Sequence, residues 1–96
     1  MKADVSAGEL RKTLRASMKG SHSSPRFIFG DEGLFILGHK EPAIKVEGAV
    51  VKKTGWGHLE RDRAEKLLQA LDILDEHAPV TIDYSNRFFK LKKFWF

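Results

Sequence analysis

Ninety-six residues, 42% apolar and 31% charged, make one small folded domain rather than two domains or a disordered tail. The absence of cysteine excludes a disulfide scaffold, thiol catalysis and cysteine-ligated metal. No apolar run nears the roughly 18 residues of a membrane helix, and none follows Lys2 as a secretory signal requires, so a cytoplasmic protein is expected. The net charge of +4 is unevenly spread: residues 1–26 carry +4, residues 27–60 −1, residues 61–79 −2 and residues 80–96 +3. Basic ends of this kind are either the electrostatic footprint of a phosphate-rich or acidic partner or a charge that merely keeps a small protein in solution.

Residues 1–5 read as a lead-in. Ser6-Ala7-Gly8-Glu9 fits a capping box, and Val5 and Leu10 have the spacing of a hydrophobic staple. Leu10, Leu14 and Met18 then recur every four residues, so a first helix is predicted over about residues 7–19, with Gly20 as its stop. The rest of its surface holds Arg11, Lys12, Arg15 and Lys19. After the polar connector Ser21–Pro25, Arg26-Phe27-Ile28-Phe29 and Leu34-Phe35-Ile36-Leu37 read as strands of a hairpin turned by Gly30-Asp31-Glu32-Gly33.

A second turn, Gly38–Pro42, leads into Ile44-Lys45-Val46-Glu47, whose alternation predicts a strand continuing through Val50-Val51. Gly48 within it suggests a bulge or a close backbone approach. Thr54-Gly55-Trp56-Gly57 interrupts the run as a tight turn, with Trp56 packed down or marking a contact site. Asp62 followed by Glu65 predicts a cap for a second helix, apolar at Ala64, Leu67, Leu68, Leu71 and Leu74, running to about His77 and stopped by Pro79. Val80–Tyr84 alternates as a strand, Ser85-Asn86 turns the chain, and Arg87–Phe96 reads as one long final strand.

The expected class is α+β: a single domain over 1–96 with two helices on one face of a mostly antiparallel sheet, in the order α-β-β-β-α-β-β. A coarse echo of helix followed by strands runs through both halves.

Chemistry finds little support. His22, His39, His58 and His77 are never three or four residues apart, so no local metal pair forms on a helix. His39 and Glu41 on a turn read as solvated side chains before an acid–base pair, and His77 suits a helix C-terminus as an imidazolium. Gly55-Trp56-Gly57-His58 lacks the length and the Lys of a phosphate loop, and no Ser sits in a nucleophile elbow. No enzyme, metal or cofactor is expected. The C-terminal run has aromatic residues on both faces of its expected strand, ending in an aromatic tail at 94–96. With Trp56, this makes Phe88, Phe94, Trp95 and Phe96 candidate interface residues, the alternative being that Phe94, Trp95 and Phe96 fold back into the core; the interleaved Lys90 and Lys92 also suit a nucleic-acid strand.

Taken as a whole, the order of elements resembles that of DNA sliding-clamp, or processivity-factor, domains. Glu9–Leu14 corresponds to a first helix, Asp31–Gly38 to the hairpin and Lys45–Val50 to the following strand. Ala64–Leu68 then matches a second helix, and Val80–Tyr84 leads into Phe89-Lys90-Leu91. The resemblance covers about residues 8–92 and is one of order and spacing. It implies two halves, each a helix followed by antiparallel strands, with the basic helices lining a ring and the sheets forming its outer wall. Arg11, Lys12, Arg15 and Lys19 would then face duplex phosphates, joined by Arg63 and Lys66. Three departures stand beside it. Only five residues precede the first helix, too few for the strand that opens such a domain; a six-domain ring needs six copies; and Asp72, Asp75 and Glu76 make the end of the second helix acidic.

Two functions follow. One is a non-catalytic module binding nucleic acid through its phosphates without sequence readout, at Arg11, Lys12, Arg15 and Lys19, with Lys90 and Lys92 as a second contact. The other is an accessory or inhibitory protein-interaction module, self-associating or partner-binding through the apolar C-terminal strand.

Overall fold

The computed structural model describes residues 1–19, 24–38, 42–85, 88–91 and 94–96. In chain order its elements are β1 (Lys2–Ser6), α1 (Ala7–Met18), β2 (Arg26–Gly30), β3 (Gly33–Leu37), β4 (Ile44–Lys45), β5 (Val50–Lys53) and β6 (Gly55–His58). They continue with α2 (Arg61–Asp72), β7 (Pro79–Ser85), β8 (Phe88–Leu91) and β9 (Phe94–Trp95). The class is α+β, and the succession of helix, strands, helix, strands is the one expected.

The strands form two antiparallel sheets rather than one, ordered β5-β1-β7-β8-β9 and β4-β3-β2-β6. The supposed lead-in is a strand, β1, held on both sides by β5 and β7. Ala3 and Val5 face inward from it and are buried, whereas Lys2, Asp4 and Ser6 are partly exposed. Five residues suffice for a strand because each can pair with two neighbours at once.

A topological twofold emerges. The units β1-α1-β2-β3-β4 and β6-α2-β7-β8-β9 each place a strand before a helix and an antiparallel ladder after it. The strand before each helix pairs with the first strand after the other one: β1 with β7, and β6 with β2. The echo of the two halves in the sequence is therefore an exchange of strands between them.

Ser6 caps α1 as expected, its Oγ accepting from the Glu9 amide at 3.3 Å. The amides of Ala7 and Gly8 lie too early for partners within the helix; they donate to the carbonyls of Ala78 and Glu76 at 2.9 and 2.8 Å. This contact explains why the second helix is shorter than its periodicity predicts. α2 ends at Asp72 rather than His77, and the chain over residues 73–78 turns so that its carbonyls cap α1. A Cβ on Gly8 would stand 2.7 Å from the Glu76 oxygen, so only glycine permits that approach. The start of α2 also differs: Glu60 occupies the cap position without a side-chain bond, and Asp62 lies in the first turn.

The run predicted from Ile44 through Val51 is divided between the sheets. Gly48, at φ 76°, lies where the chain leaves β4 in one sheet for β5 in the other. Gly55-Trp56-Gly57-His58 is a strand, β6, paired with β2, and not a tight turn. Its Gly57 lies against the Tyr84 ring, whose hydroxyl donates to the His58 carbonyl at 3.0 Å. The two sheets meet at Phe89, whose ring centroid is 4.3 Å from Phe27 and 5.1 Å from Tyr84. Leu10, Leu14, Leu67 and Leu71 complete this core from the helices.

The single final strand is a pair. β8 and β9 are antiparallel, with Lys90 opposite Trp95 and Leu91 opposite Phe94. Strict alternation along one strand would put Trp95 on the face of Phe89 and Leu91; the pairing puts it on the face of Lys90 instead.

Candidate functional site

The two helices lie side by side and antiparallel. Arg61 Nη1 at the start of α2 donates to the Met18 carbonyl at the end of α1 at 3.4 Å, and Arg11 Nη1 donates to the Leu71 carbonyl at 3.5 Å. Between them runs an open groove bordered by Lys12, Arg15, Ala16, Lys19, Glu65 and Leu68.

All four basic residues expected on the first helix stand on this helical layer, but in two electrostatic states. Arg15 Nη2 is 3.0 Å from Asp72 Oδ1, and Arg11 Nε is 3.8 Å from the same oxygen. One carboxylate of α2 therefore ties down both arginines of α1. The Arg11 side chain is only 23% exposed and serves partly as a helix-to-helix strut. Lys12 and Lys19 are exposed and make no ion pair among the described residues, and the same holds for Lys66 of α2. Arg61 is paired with Glu65 at 3.3 Å, one turn along its own helix. Arg63 is half-buried and engaged. On the helical layer the described cations without an ion pair are thus Lys12 and Lys19, with Lys66 on the neighbouring helix.

The second basic contact lies elsewhere. Lys90 projects from β8 on the side away from the buried Phe89 and Leu91, so it belongs to the solvent face of the five-stranded sheet. Its ammonium stands 5.3 Å from the ring centroid of Trp95, which is 56% exposed. Lys2 and Asp83 share that face, Asp83 being the cross-strand partner of both Lys2 and Lys90. Lys92 lies outside the described residues, as do Gly20, His22, His39 and Glu41.

The candidate interface residues do not form one patch. Trp56 is 60% exposed on the four-stranded sheet, and Trp95 is on the other. Phe96 is partly buried against the core and exchanges two backbone hydrogen bonds with Phe89, of 2.8 and 2.7 Å; it therefore works as structure. The backbones of Phe88 and Phe94 belong to β8 and β9; their side chains lie outside what the structure describes.

Beside Trp56 stand two residues that sequence reasoning passed over. Ile28 is its cross-strand partner, and Phe35 is the partner of Ile28. The signal was present in Phe27-Ile28-Phe29 and Leu34-Phe35-Ile36-Leu37. Strands apolar at every position have an apolar outer face as well as an inner one. His77 lies beyond α2, exposed, with Nε2 3.4 Å from Glu76. Among the described residues no group of three or more His, Asp or Glu side chains is placed to hold a metal ion. Nor, among those residues, is any helix long and apolar enough to cross a membrane. No family model, curated protein or solved structure matches this chain.

Proposed function

We propose that the chain is a non-catalytic nucleic-acid-binding module that grips phosphates through the exposed side of α1. The observation that carries this reading is the pair Lys12, on α1, and Lys19, at its C-cap, unpaired cations among the described residues, with Lys66 on the helix packed beside them. Lysines on a helix that has no shape-specific partner contact backbone charge rather than base edges, so binding is insensitive to sequence. Arg15 joins them, its guanidinium meeting a phosphate on the side away from Asp72. The adjacent helices and the twofold exchange of strands support the likeness to a sliding-clamp domain, in which a duplex passes along a helical layer. A cytoplasmic setting goes with this reading.

The test is the affinity for a fluorescent DNA duplex as salt is raised. Lys12→Glu with Lys19→Glu changes two exposed side chains that touch nothing in the core. It should weaken binding by well over tenfold and reduce the log–log salt slope by about 1.8, about 0.9 for each lost phosphate contact. These positions are preferred to Arg11, because a glutamate there would face Asp72 and disturb the helix pair. Duplex binding that survives the double reversal, or that ignores salt, overturns the assignment.

A further inference from the structure

The solvent face of the four-stranded sheet carries an apolar band, exposed at Trp56 and partly exposed at Ile28 and Phe35. Side chains paired across a ladder share a face. Phe35 of β3, Ile28 of β2 and Trp56 of β6 form one row, which Lys45 of β4 extends beyond Phe35. The next row is Leu37, Arg26 and His58, with the Arg26 guanidinium 5.1 Å from the Trp56 ring centroid. Neither row contains a carboxylate; Asp31 and Glu32 sit in the hairpin turn beyond Gly30 and Gly33. The band is therefore apolar along its middle and cationic at Lys45 and Arg26.

A surface of the opposite character stands on the same molecule. Ile73, just past the end of α2, is 86% exposed. Exposed Asp72, Asp75 and Glu76 surround it in sequence. The segment is held in place because the Glu76 and Ala78 carbonyls cap α1. It is an apolar knob with an acidic collar on a fixed backbone.

We propose that the Ile73 knob of one molecule docks on the Phe35–Ile28–Trp56 band of a second copy. Charge selects this head-to-tail arrangement. Two bands pressed together about a twofold axis would bring cations against cations, whereas knob on band sets Asp75 and Glu76 against Arg26 and Lys45. Trp56 and Arg26 are also the residue types that most often anchor interfaces. The contact is heterologous, so any open assembly keeps a free knob at one end and a free band at the other, and association proceeds past the dimer until a ring closes or a filament forms. Ile73, Phe35, Ile28, Trp56, Arg26 and Lys45 take no part in the proposed phosphate contact on α1.

Light scattering behind size exclusion, over roughly 10 to 500 µM protein, tests the proposal in a range where weak association shows as a rising mass. The wild type should grow in mass with concentration. Trp56→Ala and Ile73→Ser, both at exposed positions, should each weaken association by about tenfold or more while leaving the circular dichroism unchanged. Mixing the two variants is decisive: one keeps its knob and the other its band, so the mixture should regain a dimer and nothing larger. A wild type monomeric throughout overturns the proposal, as does either variant associating like the wild type. Variants that stay apart on mixing overturn the head-to-tail arrangement.

Discussion

Asp72 is the residue through which α2 restrains the cationic side of α1, and Asp72→Asn removes its charge while keeping its shape. Its Oδ1 is 3.0 Å from Arg15 Nη2 and 3.8 Å from Arg11 Nε. A phosphate seated on the far side of the Arg15 guanidinium would stand roughly 7 Å from that carboxylate, given ordinary charge-assisted contacts on each side. At that separation two like charges in water repel by about 0.6 kcal/mol. Asp72→Asn should therefore tighten duplex binding about threefold. The fold should suffer little, because the Arg15 and Asp72 side chains are 60% and 48% exposed. A pair so open to solvent contributes about 0.2–1 kcal/mol. Anisotropy titrations at several salt concentrations, paired with thermal melts, read both effects. If the variant melts within a few degrees of the wild type yet binds no more tightly, Asp72 does not compete with phosphate. Weaker binding would make it a positioning partner for Arg15.

The core offers sharper tests. Phe89→Ala removes the ring that joins the two sheets and should cost about 3–5 kcal/mol in urea unfolding, against a total of about 5–14 kcal/mol for a chain of this size. A loss under about 1 kcal/mol refutes that role. Gly57→Ala drives a methyl group into the Tyr84 ring and should cost about 1–3 kcal/mol; in a Tyr84→Leu background the penalty should shrink, as a double-mutant cycle would show. Deleting residues 94–96 strips the Phe89–Phe96 backbone pairing and should lower stability by about 2 kcal/mol. Trp95→Ala, by contrast, should stay within about 0.5 kcal/mol, and equal losses from the two changes would contradict the separation of Phe96 from Trp95.

Much of the local structure was legible in the residues. The Leu10, Leu14, Met18 stripe is buried, as are Ala64, Leu67 and Leu71. Ser6 caps the first helix, the Gly30–Gly33 hairpin forms, and Val80–Tyr84 is a strand. Each of these depends on neighbours a turn or two away, where periodicity and capping chemistry act. The elements that escaped are those defined by distant partners. β1 is a strand because β5 and β7 flank it, β6 because β2 accepts it. Trp95 faces outward because pairing with β8 resets the alternation that a single straight strand would have.

The candidate site divides in the same way. The basic side of α1 could be seen in four residues of one helix, but the division between free lysines and restrained arginines could not. That division rests on Asp72, which lies 57 residues from Arg15 along the chain. The acidic end of α2, set against the resemblance when taken as charge alone, holds the ion-pair partner of the arginines and, past it, the exposed Ile73. By itself the sequence determined where the two helices lie, though not where the second one ends, which faces of them are apolar and where positive charge accumulates, since these follow from residues near in the chain. Tertiary structure decided the two-sheet exchange, the outward-facing band at Trp56 and the cations left free for a phosphate, because sheet neighbours and ion pairs exist only once remote segments meet.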